Sequence, residues 1–146
     1  MNNTIKEKMN KTIIEIIPNL FVTNEASTKN LNTFKYILCI DSNYLSNDYK
    51  IMAGLQVYDN YVYCNLDYGV KFIERYIEND KILIVCKTGR LYSIAFILGY
   101  ICKNCNMNIN DATKVIESSI DNFIIEDYIV KQVFDWLSRN IFFNKN

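Results

Sequence analysis

Short apolar runs alternate with longer amphipathic segments through most of the chain. The short runs end at turn-forming residues, which is typical of strands, and Pro18-Asn19 separates the first run from the second. The predicted strands are Ile13–Ile17, Leu20–Thr23, Tyr36–Ile40, Leu55–Tyr58 and Ile82–Val85. Uniformly apolar runs such as YILCI and ILIV indicate strands that are buried on both faces.

The longer segments carry apolar residues three and four positions apart, which predicts helices. Asn24 and Asn110 are placed to cap two of them. The predicted helices are Asn24 to about Phe34, Asp67–Asp80, Ser93–Cys102, Asp111–Ser119 and about Glu126 to Asn140. The Ser93–Cys102 segment is apolar all round, so we expect it at the centre of the fold, where Gly99 would permit a close helix approach. Strands that alternate with helices, followed by helices alone, predict an α/β domain.

The length of 146 residues suits one compact domain. Residues 1–11 are polar and carry mixed charge, and they are predicted to be an arm in front of a domain that spans 12–146. A frayed terminus and a dimerisation arm both remain open for this segment.

Composition excludes several classes of protein. The 16 basic and 16 acidic residues balance, so no overall field would attract nucleic acid or an acidic membrane. No apolar run approaches the roughly 20 residues that cross a bilayer, and the N-terminus lacks the apolar core of a signal peptide. Five cysteines, an odd number, favour a reducing compartment, and we predict a cytoplasmic protein.

The chain contains no histidine, which excludes Ser-His-Asp and Cys-His catalysis. A metal site is also improbable, because the Cys102–Cys105 pair has neither a second cysteine pair nor a histidine to complete it. No cofactor and no metal are therefore expected.

The most informative stretch is KILIVCKTGRLYS, from Lys81 to Ser93. It predicts a buried strand, a tight loop that begins at Cys86, and a helix. Backbone amides of such a loop and the positive end of the following helix converge on one point, which favours a thiolate or a bound anion.

With Cys86, Gly89 and Ser93 in place, the loop has the form Cys-x-x-Gly-x-x-x-Ser. This spacing and the order of elements resemble the cysteine-dependent protein tyrosine phosphatases, and more narrowly the dual-specificity phosphatases. The resemblance covers nearly the whole chain, from IIPNLFVTNEA through YILCIDSN, LQVYDN and NLDYGVKFIERYI to FIIEDYIVKQVFDWL. It implies a single-domain dual-specificity phosphatase-like fold, with a central mixed or mostly parallel sheet of about five strands flanked by helices.

The resemblance also implies roles for individual residues. Cys86 corresponds to the nucleophile, Asp59 to the general acid that protonates the leaving oxygen, and Ser93 to the hydroxyl that bonds the sulfur. The loop positions that would surround a phosphate are Lys87, Thr88, Gly89, Arg90, Leu91 and Tyr92. An ordinary turn aspartate is an equally good interpretation of Asp59.

Two positions depart from the family pattern: Val85 stands where the family has histidine, and Tyr92 where it has arginine. Arginine offers a charged planar fork to two phosphoryl oxygens, whereas tyrosine offers one uncharged hydroxyl. Its loss should cost at least about 10²–10³ in rate, by analogy with the loss of one oxyanion donor. Val85 removes part of the polar network beside the sulfur, so Cys86 should be less reactive. Arg90, which points towards substrate in the family, forms with Lys87 a basic rim that could attract an anion.

The sequence therefore predicts a catalytically inactive phosphatase homologue, or pseudophosphatase, that binds a protein partner, phosphorylated or not. One alternative is a weak or atypical phosphatase that uses Cys86 and Asp59, with the missing charge supplied by Arg90 or by a partner. The other is a structural homodimer, formed through the N-terminal arm, in which Tyr92 closes the loop. Nucleic acid and membrane are not expected partners.

Overall fold

A computed structural model of the chain describes residues 13–23, 33–41, 51–86 and 91–144. These residues form a five-stranded sheet and four helices. The strands are β1 (Ile14–Ile17), β2 (Leu20–Thr23), β3 (Tyr36–Ile40), β4 (Ile51–Leu55) and β5 (Ile82–Cys86). The helices are α1 (Tyr63–Tyr76), α2 (Leu91–Asn104), α3 (Ile109–Ser119) and α4 (Asp127–Asn144).

The strands lie in the order β1-β2-β5-β3-β4. β1 and β2 form an antiparallel hairpin, whose turn contains Asn19 at a φ of 70°, while the other three pairings are parallel. The mixed, mostly parallel sheet of an α/β domain is therefore confirmed. β5 and β3 lie in the middle of the sheet, as their uniformly apolar sequences predict.

Side chains of the sheet alternate between two apolar clusters. The larger cluster joins one face of the sheet to residues of all four helices, and it contains Ile40, Ile84 and Cys86. The smaller cluster lies on the other face and contains Cys39 and Val85. Neighbouring residues Val85 and Cys86 thus face opposite sides of the sheet, and Cys86 lies on the side that carries the helices.

Helix α2 is the centre of the helical layer, in agreement with its all-round apolar sequence. Residues Ile94–Leu98 are fully buried. A β-carbon added to Gly99 would lie 3.2 Å from both Trp136 of α4 and Val70 of α1, so the predicted close approach at Gly99 is confirmed. Gly69 of α1 is tighter still, because a β-carbon there would lie 2.4 Å from the Phe96 ring.

The fourth strand was predicted in the wrong place. It spans Ile51–Leu55, not Leu55–Tyr58, and Tyr58 forms only an isolated bridge with Tyr61. Ala53 and Gly54 have low strand propensity, but regular parallel pairing with β3 decides the structure here. Most of the predicted helix from Asn24 lies outside the described residues, as do the arm at 1–11 and residue 12.

Helix ends also differ from the prediction. α1 spans Tyr63–Tyr76 rather than Asp67–Asp80. α2 extends beyond the predicted Ser93–Cys102 at both ends, and α4 begins at Asp127 and continues past Asn140 to Asn144. α3 is capped by Asn108 rather than Asn110, because the Asn108 side chain accepts a hydrogen bond from the backbone N–H of Asp111 at 2.9 Å. Among the described residues, no helix is both long and apolar enough to span a bilayer.

Candidate functional site

The candidate site lies at the carboxyl ends of β3 and β5. Ile40 and Cys86 are register partners at the ends of these parallel strands, so Asp41 leaves the sheet beside Cys86. Cys86 is fully buried and its side chain belongs to the larger core cluster. In open α/β sheets this edge is where ligands bind.

The loop that follows Cys86 lies largely outside the described residues. The roles predicted for Lys87, Thr88, Gly89 and Arg90 therefore stay predictions, and Leu91 is described only as the first residue of α2. Tyr92 and Ser93 follow in the first turn of α2, and both are buried. Cys86 at the end of β5 and Tyr92 in the first turn of α2 therefore lie at the same edge of the sheet.

Tyr92 is the best-defined side chain of the site. It is 6% exposed, and its hydroxyl donates a short hydrogen bond to Oδ1 of Asn60. Burial raises the pKa of Tyr92, and electrostatic interaction with Asp41, Cys86 and Glu126 raises it further. The phenol is therefore neutral at physiological pH.

Asp59 and Asn60 form the corner of a tight turn between Tyr58 and Tyr61. The N–H of Tyr61 donates to the carbonyl of Tyr58 at 2.9 Å, and the φ angles of Asp59 and Asn60 are 54° and 58°. Two successive residues with positive φ are typical of a type I′ turn, which aspartate and asparagine tolerate well.

Turn geometry alone explains an aspartate at position 59. Asp59 is exposed, and the side chain that reaches Tyr92 is that of its neighbour Asn60. The general-acid role of Asp59 stays a prediction.

Gln132 of α4 holds this turn in place. Its Oε1 accepts hydrogen bonds from the backbone N–H groups of Val62 and Tyr63 at 2.7 and 3.0 Å, and its Nε2 donates to the carbonyl of Asn60 at 3.1 Å. One side chain thus satisfies two orphan amides at the start of α1 and fixes the turn that contacts Tyr92.

Asp41 holds the segment that leads into the turn. Its backbone N–H donates to the carbonyl of Leu55 at 2.8 Å, and its Oδ1 accepts from the N–H of Val57 at 2.9 Å. Asp41 itself has a φ of 52°, a left-handed conformation that aspartate adopts more readily than most residues. The site is therefore framed by the ends of β3 and β5, the start of α2 and a fixed turn.

Val85, at the position of the family histidine, is an ordinary core residue. It is fully buried in the smaller apolar cluster, together with Ile37 and Leu83. Its side chain lies on the face of the sheet opposite Cys86. An imidazole at this position would enter an apolar environment and would be costly unless it found a hydrogen-bond partner.

Sequence reasoning missed four residues of the site: Asp41, Asn60, Glu126 and Gln132. Asp41 follows a buried parallel strand at the same sheet edge as Cys86, and that placement could have identified it. Gln132 is separated by 70 positions from Val62, so no local pattern points to it. Within the described residues, no group of three or more cysteine or carboxylate side chains is arranged to hold a metal ion.

No protein-family model matches the sequence, and no curated protein matches it. Solved structures do. A leucine rich repeat and phosphatase domain containing protein from Entamoeba histolytica matches with a TM-score of 0.77 at 15% identity, over 94% of this chain and 98% of that chain. The human tyrosine phosphatase-like serine/threonine/tyrosine-interacting protein matches with a TM-score of 0.75 at 20% identity, over 88% of this chain and 97% of that one.

A mouse putative dual specificity phosphatase matches with a TM-score of 0.66 at 18% identity, over 85% of each chain. The chain has the fold of the dual-specificity phosphatases. The predicted phosphatase-like fold is therefore confirmed. Identities this low establish the architecture, and the chemistry of the site has to be argued from its own residues.

Proposed function

We propose that this protein is a catalytically inactive relative of the dual-specificity phosphatases that acts by binding a protein partner. The observation that carries the proposal is the hydrogen bond that the buried hydroxyl of Tyr92 makes. Tyr92 replaces the phosphate-binding arginine of the family pattern, and its only polar atom beyond the backbone is bonded to Asn60.

Tyr92 supplies neither charge nor a bidentate fork to a phosphoryl group. A hydroxyl that already donates to Asn60 Oδ1 has no second proton to give to a phosphate oxygen. The raised pKa of Tyr92, caused first by burial, keeps the group neutral. Transition-state stabilisation by this residue is therefore lost, which is the largest electrostatic contribution that the loop would make to phosphoryl transfer.

The surroundings of Tyr92 suit a cation better than a phenol. The carboxylates of Asp41 and Glu126 both lie close enough to raise the pKa of Tyr92. An arginine at this position would be stabilised by them, and without it their charge opposes the entry of a phosphate dianion. A partner that uses this site must either be uncharged there or meet its counter-charge at Lys87 and Arg90, which the sequence predicts to form a basic rim.

A binding role agrees with the name of one structural neighbour. The human protein with a TM-score of 0.75 is described as a phosphatase-like interacting protein. At 20% identity this neighbour supports a binding role for the fold without specifying the partner.

Hydrolysis of an aryl phosphate tests the proposal. We expect the wild-type rate to equal that of Cys86→Ser, because the uncharged Tyr92 cannot replace the arginine. A wild-type rate that Cys86→Ser abolishes would overturn the proposal in favour of a weak phosphatase. If the wild type is inactive as expected, Tyr92→Arg should introduce Cys86-dependent activity, provided that the rest of the scaffold is intact. Adding Val85→His tests whether the missing histidine also limits the activity.

Binding measurements distinguish a protein whose loop binds an anion from one that serves only as a scaffold. Titration with inorganic sulfate and with a phosphotyrosine peptide should show binding that Arg90→Ala weakens if the basic rim holds an anion. Equal affinities for wild type and Arg90→Ala would remove the loop from the binding role and leave the protein as a scaffold. Homodimerisation through residues 1–11 predicts that their deletion reduces the size of the particle in solution.

A further inference from the structure

The two edges of the sheet differ in how they are protected. β1, at one edge, carries Glu15, has an irregular register between Glu15 and Ile17, and is followed by Pro18. Its Ile16 carbonyl accepts a hydrogen bond from Ser119 Oγ at 3.2 Å. Charge, bulges, proline and coverage are the features that keep an edge strand from pairing with another chain.

β4, at the other edge, lacks the charge, the proline and the irregular register of β1. Its sequence is IMAGL, without a charged residue or proline, and it pairs with β3 in regular register over all five residues. Within the described residues, no strand pairs with its outer side. Such an edge is a template for the addition of a further strand.

A groove runs along this edge between β4 and α1. Its volume is about 370 Å³, and its lining combines strand and helix residues. These residues are Met52, Ala53, Tyr68, Lys71, Phe72, Arg75 and Tyr76. The small side chain of Ala53 leaves room above the strand, so the groove could receive an apolar side chain from a strand added beside β4.

The charge of the groove is positive. Lys71 and Arg75 lie one helical turn apart on α1 and are both exposed, and the described residues that line the groove include no carboxylate. Glu74, on the same helix, pairs with Lys103 of α2, whose Nζ lies 3.2 Å from Glu74 Oε2. Arg75 rests on the Tyr76 ring, with its guanidinium carbon 5.4 Å from the ring centroid.

This charge argues against two occupants that belong to the chain itself. A symmetric pair of β4 edges would bring Lys71 and Arg75 of both copies towards each other, and like charges at an interface are unfavourable. The N-terminal segment carries Lys6, Lys8 and Lys11 against a single Glu7, so it would also be repelled.

The geometry points to the β4 edge and its α1 groove as a docking site for an extended acidic segment of a partner protein. The segment adds as a strand to Ile51–Leu55, places one apolar side chain over Ala53, and pairs its carboxylates with Lys71 and Arg75. This site is separate from Cys86 and Tyr92, and it does not depend on whether their loop binds phosphate.

The test uses the full chain and a synthetic acetylated peptide of about eight residues, the length of a strand, in which valine and glutamate alternate. We expect binding that shifts the amide signals of Met52, Ala53 and Gly54 in NMR spectra and slows hydrogen exchange of those whose N–H groups point away from β3. Lys71→Glu with Arg75→Glu should weaken binding by at least about tenfold, because two attractive contacts become repulsive. Lys114→Glu, an exposed position on α3, is the matched control and should leave affinity unchanged.

Two further peptides make the outcome decisive. The same peptide with lysine in place of glutamate should not bind, and one with proline at alternate positions should lose binding if a strand is added. Equal binding of acidic and basic peptides, no response of β4 amides, or a concentration-dependent dimer that shifts the same amides would each overturn the proposal. Unchanged thermal unfolding of the double variant shows that loss of binding is not loss of fold.

Discussion

Replacing Gln132 with leucine should destabilise the protein and loosen the turn against Tyr92. The change removes the acceptor of the Val62 and Tyr63 amides and the donor to the Asn60 carbonyl. Val62 is fully buried, so its amide cannot turn to water instead. Asn60 is exposed, and its carbonyl can. The orphaned buried donor of Val62 and the two weakened bonds, those of the Tyr63 amide and the Asn60 carbonyl, amount to about 2–4 kcal/mol of lost unfolding free energy.

Gln132→Glu is the matched control. It keeps the acceptor for both amides and adds a negative charge near the start of α1, which is worth about 0.3–1 kcal/mol. It loses only the donor to an exposed carbonyl, so we expect its unfolding free energy to stay within about 1 kcal/mol of wild type.

Urea unfolding gives the free energies of these variants, and hydrogen exchange of the Val62 and Tyr63 amides reports on the turn. Exchange should be faster in Gln132→Leu than in Gln132→Glu. Equal unfolding midpoints for the two variants would contradict a stabilising role of Gln132. So would an unfolding free energy of Gln132→Leu within about 0.5 kcal/mol of wild type.

Two other predictions concern Tyr92 and the helix contact. Tyr92→Phe should cost about 0.5–1.5 kcal/mol at neutral pH through the lost bond to Asn60. Because burial raises the pKa of Tyr92, the native state keeps a proton that the unfolded chain releases at alkaline pH. Urea unfolding should therefore show that wild-type stability falls above about pH 10, and that the stability of Tyr92→Phe falls less steeply. Gly69→Ala should lower the free energy of unfolding by about 1–3 kcal/mol, and with it the thermal midpoint, since its β-carbon would lie 2.4 Å from Phe96. Gly54→Ala has nothing within 4 Å of its β-carbon and should leave the midpoint unchanged.

The central strands β3 and β5 and the central helix α2 were predictable because burial requires apolar residues along their whole length. β3 and β5 are covered on both faces and read as continuous apolar runs, and α2 is apolar all round. β4 was misplaced because Ala53 and Gly54 do not favour a strand by themselves. Its position depends on pairing with β3, which is a tertiary effect.

The site was predictable where one local motif defines it. Cys86, Ser93 and Tyr92 follow from the spacing of a single loop, and the Asp-Asn pair between Tyr58 and Tyr61 could have indicated the tight turn. The clamp by Gln132 could not be predicted, because a capping side chain from a distant helix leaves no trace in the sequence around α1.

The most direct test of the central claim is a rapid-mixing experiment with an aryl phosphate, in which the phenol released before turnover is compared between wild type and Cys86→Ser. The account predicts no release beyond that of the serine variant, because Tyr92 leaves the transferring phosphoryl group without its charged clamp. A burst that requires Cys86, accompanied by phosphate bound covalently to that residue, would contradict it.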